Sequence, residues 1–166
     1  MTDRDSQLQQ IIEQNPGIQF REIMRTSGLK NGVLSHYLGK LEKNGIIKVE
    51  RGQRQTRFFP PKITENESKV IKALRRQTPR DLLLALVRKD GLEFSELVSE
   101  VGKSPSTVSL YLSQIVDDGL VAIKLENLKK RYYIQARELM DKLIENYKPS
   151  LLEKSSSEFE DIFNSF

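Results

Sequence analysis

The sequence predicts a mainly helical protein with small β-hairpins (α+β), built from two copies of one domain. Apolar residues recur at helical spacing in several short stretches, and most of these stretches end near a glycine or a proline. Pairs of strand-like segments follow them, and the whole order of segments then occurs a second time. The 166 residues are 37% hydrophobic and 30% charged, which is typical of a globular chain.

The duplication is visible as an ungapped alignment of residues 8–60 with residues 82–134. The identical pairs include Leu8/Leu82, Gly17/Gly91, Phe20/Phe94, Glu22/Glu96, Gly28/Gly102, Ser35/Ser109, Tyr37/Tyr111, Leu38/Leu112 and Gly45/Gly119. About ten positions are identical, and many others exchange one aliphatic residue for another. Chance alignment of two unrelated helical stretches is a poor explanation, so we predict a repeated domain.

Three helices are predicted in the first copy. The first covers about residues 4–14, because its apolar residues recur at helical spacing and stop before Pro16-Gly17. A short second helix contains Phe20 and ends at Gly28, where glycine supplies a left-handed turn. Asn31 is the predicted N-cap of the third helix. The buried stripe of that helix consists of Leu34, Tyr37, Leu38 and Leu41.

Two strands are predicted after the third helix, over residues 46–50 and 56–59, joined by an arginine-rich loop. The second copy repeats the order. Its predicted elements are a helix from Thr78-Pro79 with proline at the first helical position, a helix over 94–101, a helix from Ser104-Pro105, and strands over 120–125 and 130–134. Three helices followed by a two-stranded hairpin is the winged helix-turn-helix arrangement.

The predicted domains are a first winged helix-turn-helix over 1–62, a linker helix over 63–78, a second winged helix-turn-helix over 79–135, and C-terminal amphipathic helices over 136–166. Thr64 and Glu67 form a predicted capping box for the linker. Arginines at its end are expected either to contact phosphates or to complement the helix C-terminus. The apolar stripe from Ala136 to Tyr147 must be buried against this chain or a second copy. Residues 155–166 are interpreted as a docking helix or a frayed end.

Residues 8–60 resemble the winged-helix domain of the arsenic-resistance (ArsR) and multiple-antibiotic-resistance (MarR) repressor families, and most of all their archaeal relatives with tandem copies. The third-helix stretch 33–38 and residues 41–47 carry this resemblance, and residues 80–134 share it more loosely. It implies a DNA-binding regulator. Metal sensors in the first family use cysteine or clustered histidine ligands. With no cysteine and one histidine, this chain is expected to bind no metal and no cofactor.

Positive charge is concentrated in the first copy. The formal net charge is +4, but roughly eight Lys/Arg stand against two acids between residues 30 and 62. From residue 136 onward roughly four basic residues stand against seven acids. In the resembled fold the third helix enters the major groove and the wing reaches the backbone or minor groove. Duplex DNA carries one negative charge per about 1.7 Å, so a cationic wing gains free energy from counterion release.

The segment RGQRQTRFFP (51–60) is therefore predicted to point Arg51, Arg54 and Arg57 at phosphates and to anchor the wing through two phenylalanines. Ser35 and His36 are predicted to contact base edges or phosphates, and Lys30 and Lys40 the DNA backbone. The predicted contact set is Lys30, Asn31, Gly32, Ser35, His36, Lys40, Arg51, Gln53, Arg54, Arg57, Lys103, Ser104, Ser106, Thr107, Ser109, Gln114, Lys129, Lys130 and Arg131. The second copy is interpreted either as a second DNA contact or mainly as an interface.

The predicted function is a sequence-specific, double-stranded DNA-binding transcriptional regulator, with repression favoured over activation. A protein-interaction scaffold is the alternative, and it would require apolar groups on the third-helix face. RNA binding ranks last, because it would require exposed aromatics for base stacking. No enzyme is expected, since no nucleophile–base set or phosphate-binding glycine loop occurs. We further expect a homodimer through the C-terminal or linker helices, a cytoplasmic location, no membrane contact and no small-molecule effector.

Overall fold

The computed structural model of the chain describes residues 2–53 and 55–153, and these residues fall into two compact units, 1–68 and 69–166. The first unit contains α1 (Asp3–Gln14), β1 (Ile18–Gln19), α2 (Phe20–Ser27), α3 (Asn31–Lys43), β2 (Lys48–Arg51) and β3 (Thr56–Phe59). Helix α4 (Glu65–Leu74) runs from the first unit into the second. The second unit continues with α5 (Gln77–Arg88), β4 (Leu92–Glu93), α6 (Phe94–Val101), α7 (Pro105–Asp117), β5 (Val121–Glu126), β6 (Lys129–Ile134), α8 (Arg137–Lys148) and a π-helical turn (Pro149–Glu153).

Each unit contains a three-helix winged helix-turn-helix domain with a small antiparallel sheet, which confirms the predicted fold class. The prediction of a two-stranded hairpin was incomplete, because each sheet has three strands, in the order β1-β3-β2 and β4-β6-β5. The additional strands β1 and β4 are only two residues long. Two residues are too few to show an alternating pattern, and these strands form only by pairing with β3 and β6 far along the chain.

The core of the first unit forms between α1, α2, α3 and the sheet. The leucines of the α3 stripe are buried, and Tyr37 packs partly buried against the same cluster, as predicted. The cluster is completed by Leu8, Ile11, Ile12, Ile18, Ile23, Ile47 and Phe58. Gly28 has a φ of 72° and Gly102 a φ of 70°, so both turns that precede the third helix of a unit are left-handed, as the sequence indicated.

Two predicted helix starts are wrong by one or two residues. The N-cap of α3 is Lys30, and Asn31 is the first helical residue. Helix α5 begins at Gln77, so Pro79 occupies its third position and not its first. Proline is tolerated there because the first N–H groups of a helix have no partner within the helix. Ser104 caps α7 by accepting from the Thr107 N–H, with Pro105 at the first position, as predicted.

The linker helix begins with the predicted capping box. The Thr64 N–H donates to Glu67 at 3.1 Å, and the Glu67 N–H donates to Thr64 Oγ1 at 3.1 Å. Arg80 is buried and donates to the carbonyl of Leu74, so it supports the end of α4 instead of facing solvent. In α8, Met140 and Leu143 are buried by this chain itself, while Ala136, Leu139, Ile144 and Tyr147 of the predicted stripe are only partly buried. Residues 155–166, interpreted above as a docking helix or a frayed end, lie outside the described residues.

Candidate nucleic-acid interface

The exposed face of α3 carries the small and polar residues that the sequence predicted. Leu34, Leu38 and Leu41 hold the opposite face in the core, and this fixes the rotation of the helix about its axis. Six residues of the predicted face are exposed to solvent: Asn31, Gly32, Ser35, His36, Gly39 and Lys40. Lys30, at the N-cap, is exposed as well. The structure therefore brings most of the predicted first-unit residues together on one surface.

The centre of this surface is open to close approach by another molecule. A Cβ atom placed on Gly32 or Gly39 would meet no heavy atom within 4 Å. Beside Gly32, the Ser35 hydroxyl donates to Asn31 Oδ1 at 3.3 Å. Since that bond uses the amide oxygen of Asn31, its Nδ2 donors remain available to an acceptor outside the protein. The helix therefore presents hydrogen-bond donors beside an uncovered part of its surface, and a flat or grooved polyanion can approach that part closely.

Tyr37 lies at the edge of this face and is surrounded by cations. The guanidinium of Arg4 lies 5.6 Å from the ring centroid and the Lys40 ammonium 5.9 Å from it, while the His36 ring meets it edge-on at 5.5 Å. Arg4 was missed by the sequence analysis, because α1 is remote from the third-helix motif in the chain. Its exposed side chain adds a positive charge beside the predicted contact residues.

Lys40 has a structural partner that the sequence did not reveal. Its Nζ lies 3.2 Å from Oδ2 of Asp5, a buried carboxylate in the capping box of α1. Burial opposes ionisation of Asp5, but hydrogen bonds from the Thr2 N–H and from Lys40 outweigh it and lower its pKa below the ordinary 3.8. Lys40 therefore joins α3 to α1, and its charge is shared with Asp5 instead of being wholly available to phosphate.

We expect Asp5→Asn to lower the melting temperature of the protein by several degrees at pH 7. A carboxyl group with a depressed folded pKa adds stability that is present above the unfolded pKa, near 4, and is lost as pH falls through the folded value. The difference between wild type and variant should therefore shrink below about pH 4. Thermal melts from pH 7 to pH 2 measure it, with Lys40→Met as the partner variant. A difference that persisted at pH 2 would contradict this role of the charge.

The first wing is tied to α3 by an ion pair. Arg51, at the end of β2, donates to both carboxylate oxygens of Glu42, at 2.7 and 2.8 Å. These hydrogen bonds hold the pKa of Glu42 below its usual range and raise that of Arg51. The pair is largely exposed, so it orients the wing more than it stabilises the fold. Gln53 is exposed at the tip, and Arg54 lies outside the described residues.

Arg57 does not belong to the exposed wing surface, and its predicted phosphate contact is wrong. Its side chain is buried, with 6% relative exposure, and donates to the carbonyl of Gly17 at 2.7 Å and to Gln55 Oε1 at 2.8 Å. Phe58 and Phe59 are both buried, so both faces of β3 are covered and Arg57 points inward. Arg131 donates to Gly91 in the same way at 2.9 Å, which makes this bond a shared element of both units.

In the second unit the α7 face keeps hydroxyl groups but has an apolar residue where the first unit has histidine. Ser104, Ser106 and Thr107 form a hydrogen-bonded cluster at the helix start, with oxygen–oxygen distances of 2.9 and 3.2 Å. Ser109, Gln114 and Lys103 are exposed, and Gln114 accepts from Arg76 at 3.3 Å. Leu110, with 57% relative exposure, occupies the position that His36 has in the first unit.

The second wing is longer and its cations are partly paired. Arg131 lies 3.4 Å from a carboxylate oxygen of Glu93 and 3.7 Å from one of Glu126, and Lys129 lies 3.7 Å from Glu93. Lys130 is exposed, and Lys124 lies 4.7 Å from the centroid of the Tyr133 ring. Arg131 is thus a structural group like Arg57. Of the three residues of the second wing that were predicted to contact DNA, Lys129 and Lys130 therefore remain.

Within residues 2–53 and 55–153, no group of three or more His, Cys, Asp or Glu residues is arranged to hold a metal ion. None of the described helices has both the length and the apolarity that a bilayer span requires.

Comparison with known families gives two separate matches, each to a part of the chain. Residues 2–71 match a family described as an N-terminal HTH domain, and residues 76–122 match a family described as "Bacterial regulatory protein, arsR family". No curated protein matches the chain. The two matched ranges each include the helix pair that presents the third-helix face, α2–α3 in one case and α6–α7 in the other.

Several solved structures of regulators are similar to parts of this chain. A predicted DNA-binding transcriptional regulator from E. coli is 22% identical, with a TM-score of 0.44, over 49% of this chain and 85% of that one. HlyU from Vibrio cholerae is 25% identical, with a TM-score of 0.43, over 49% and 91%. A MarR-family transcriptional regulator from Silicibacter pomeroyi is 20% identical, with a TM-score of 0.42, over 79% and 84%.

Proposed function

We propose that this chain, a DNA-binding transcriptional regulator with two winged helix-turn-helix domains in tandem, represses transcription by occupying duplex DNA mainly through its first domain. The observation that supports this proposal is the α3 face, where exposed small and polar residues lie opposite a fully buried leucine stripe. A helix presented in this way matches the dimensions of the major groove. A repressor then needs only to exclude other proteins from the site that it covers.

In this proposal the residues of α3 divide into two roles. Lys30 and the first N–H groups of α3 contact phosphate, because an exposed helix N-terminus attracts anions. Asn31, Ser35 and His36 contact base edges, since their donors and acceptors face outward beside Gly32 and Gly39. Phosphate contacts set the position of the helix and base contacts set its sequence preference.

The wing has a positioning role in the same complex. The bidentate bond to Glu42 holds Arg51 at the base of the wing, so the tip residues Gln53 and Arg54 are the ones proposed to reach the adjacent backbone or minor groove. The proposed assembly is a homodimer on an inverted repeat, because symmetric dimers are the usual way in which such domains bind pseudo-palindromic sites.

The test is selection from a random duplex library, and from genomic fragments, by the full-length protein. We expect an inverted repeat, and we expect Ser35→Ala and His36→Ala to relax preference at defined base pairs, each costing about 5- to 150-fold in affinity for the selected site. Ser109→Ala is the matched control, because Ser109 is the residue of the second copy that corresponds to Ser35. If only the Ser35 and His36 variants change the selected sequence, the first domain is the reader. Unchanged preference in both variants would refute the proposed site.

A further inference from the structure

The second wing has an unpaired strand edge. Strand β5 lies at the side of the second sheet, in the order β4-β6-β5, and its outer edge pairs with no strand of the described residues. Its residues from Ile123 to Glu126 are all exposed. An exposed strand edge presents N–H and C=O groups that can pair with another strand. The edge of β5 is therefore a candidate docking surface.

The register of the hairpin shows which backbone groups face this edge. At the base of the wing, in line with the pairing of β5 and β6, the Gln135 N–H donates to the Leu120 carbonyl at 2.9 Å. Leu120 thus directs its backbone groups toward β6, and this direction alternates along an antiparallel strand. The N–H and C=O groups of Ile123 and Leu125 consequently point away from β6, to the outer edge.

The side chains of β5 divide between the two faces of the hairpin. Ile123, which is 44% exposed, and Leu125, which is 68% exposed, lie on one face. Lys124 and Glu126 lie on the opposite face, where Lys124 is paired across the ladder with Arg131, a residue of like charge. The free edge therefore carries an exposed leucine with a positive residue before it and a negative residue after it.

We propose that β5 pairs in antiparallel orientation with β5 of a second copy, about a two-fold axis through Leu125. Leu125 then exchanges backbone hydrogen bonds with Leu125 of the second copy, and the two leucine side chains meet on the apolar face. On the other face, Lys124 lies opposite Glu126 of the second copy, and Glu126 opposite its Lys124. The two-fold symmetry produces two ion pairs from one run of three residues.

Charge distinguishes this register from the neighbouring ones. Because only the odd-numbered residues of β5 direct backbone groups to the edge, the axis must pass through a residue and not between two. An axis through Lys124 sets two ammonium groups directly opposite each other, which is destabilising. An axis through Ile123 sets Lys124 opposite Ala122 and forms no ion pair. The axis through Leu125 is the one that pairs opposite charges.

The outer strand of the first wing is protected against such pairing. Strand β2 has four residues, and Lys48, Glu50 and Arg51 among them are charged, which is a common way in which sheets block their edges. Glu50 also accepts from buried Ser68 at 2.7 and 2.8 Å. In the alignment of the two copies, Arg51 corresponds to Leu125. The duplicated domain has therefore acquired a pairing edge in its second copy.

This inference rests on the homodimer of the proposed function and names its surface. The sequence favoured the C-terminal or linker helices for that contact, whereas the edge of β5 lies on the second wing. The pairing uses no residue of α3 or of the first wing. A contact of this size is at the small end of specific interfaces, so we expect a dissociation constant of about 1–100 µM.

Sedimentation equilibrium of the full-length, DNA-free protein tests the pairing. Lys124→Glu and Glu126→Lys should each raise the dimer Kd at least about tenfold, because both ion pairs then become pairs of like charge. The double variant restores opposite charges, so its Kd should return to within about threefold of wild type. Lys130→Glu is the matched control: it changes the charge by the same amount on the inner strand β6, and it should leave Kd unchanged.

Leu125→Pro tests the backbone hydrogen bonds directly. The N–H group that proline removes points to the outer edge and is not part of the ladder with β6, and proline is accepted at such positions of edge strands. We expect a protein that melts within a few degrees of wild type and stays monomeric at about ten times the wild-type Kd.

The outcomes separate this interface from the proposed function. Loss of the dimer in Leu125→Pro together with rescue by the charge-exchanged double variant supports the pairing. A wild-type protein that is monomeric at about 100 µM overturns it. A dimer that Leu125→Pro leaves intact, or charge variants without rescue, also overturn it. Since no DNA is present, these failures leave sequence reading by α3 untouched, and a β5 dimer that selected no DNA sequence would contradict the proposed function alone.

Discussion

Replacing Gly39 with alanine is expected to change fold stability and DNA affinity in opposite directions. Gly39 lies within α3, exposed, with no heavy atom near the position of its Cβ. Alanine should therefore stabilise the first unit by about 0.5–1 kcal/mol, because glycine is entropically unfavourable inside a helix. The added methyl group, however, projects from the face proposed to lie against the duplex. We expect roughly tenfold weaker DNA binding, and a loss of at least about 100-fold for Gly39→Glu, where a carboxylate meets the phosphates.

Denaturant unfolding and duplex titration of the same preparations measure the two effects. Ser113→Ala is the matched control, because Ser113 is the residue of the second copy that corresponds to Gly39, and it should leave affinity unchanged. An alanine variant that gained stability and bound DNA as tightly as wild type would show that α3 does not approach a duplex closely. A general folding defect in Gly39→Ala would lower stability, whereas we expect higher stability together with weaker DNA binding, so the two measurements distinguish these cases.

Arg57→Met is expected to destabilise the first unit by about 2–4 kcal/mol. The buried guanidinium donates to the Gly17 carbonyl and to Gln55, and its removal takes this donor from the buried Gly17 carbonyl, whereas the exposed Gln55 can bind water. Arg131→Met is the matched control. Arg131 makes the corresponding bond to Gly91, but its side chain is 36% exposed and water can replace the lost bond, so we expect about 1 kcal/mol or less.

The salt dependence of DNA affinity distinguishes this structural role from a phosphate contact. Each phosphate contact contributes about one unit to the slope of log affinity against log salt concentration. At a temperature where Arg57→Met remains folded, its slope should equal that of wild type. A flatter slope with full stability would return Arg57 to the DNA surface. For Arg54, which the structure does not describe, the phosphate contact stays a prediction.

The sequence contains two indications of the inward position of Arg57, but neither decides it without the packing of the strand. Phe58 and Phe59 are adjacent, so they point to opposite faces of β3, and burial of both means that both faces are covered. The pairing of Gly17 with Gly91 and of Arg57 with Arg131 in the repeat was a second signal of a structural bond. Only the positive charge of Arg57 favoured the prediction that its side chain points outward to phosphate. The Lys40–Asp5 pair left no comparable signal, because its residues are distant in the chain and their types occur on any solvated helix.

By itself, the sequence determined the duplicated domain, the helices, the left-handed glycines and the rotation of α3 that exposes Ser35 and His36. These features depend on local periodicity and turn chemistry, which a few neighbouring residues decide. Only the tertiary structure decided which cations reach solvent. It buried Arg57 against Gly17, paired Arg51 with Glu42 and Lys40 with Asp5, and left the leucines of the second wing exposed. Those outcomes depend on which groups, distant in the sequence, meet when strands and helices pack. The type of a charged residue does not specify which partner it will have.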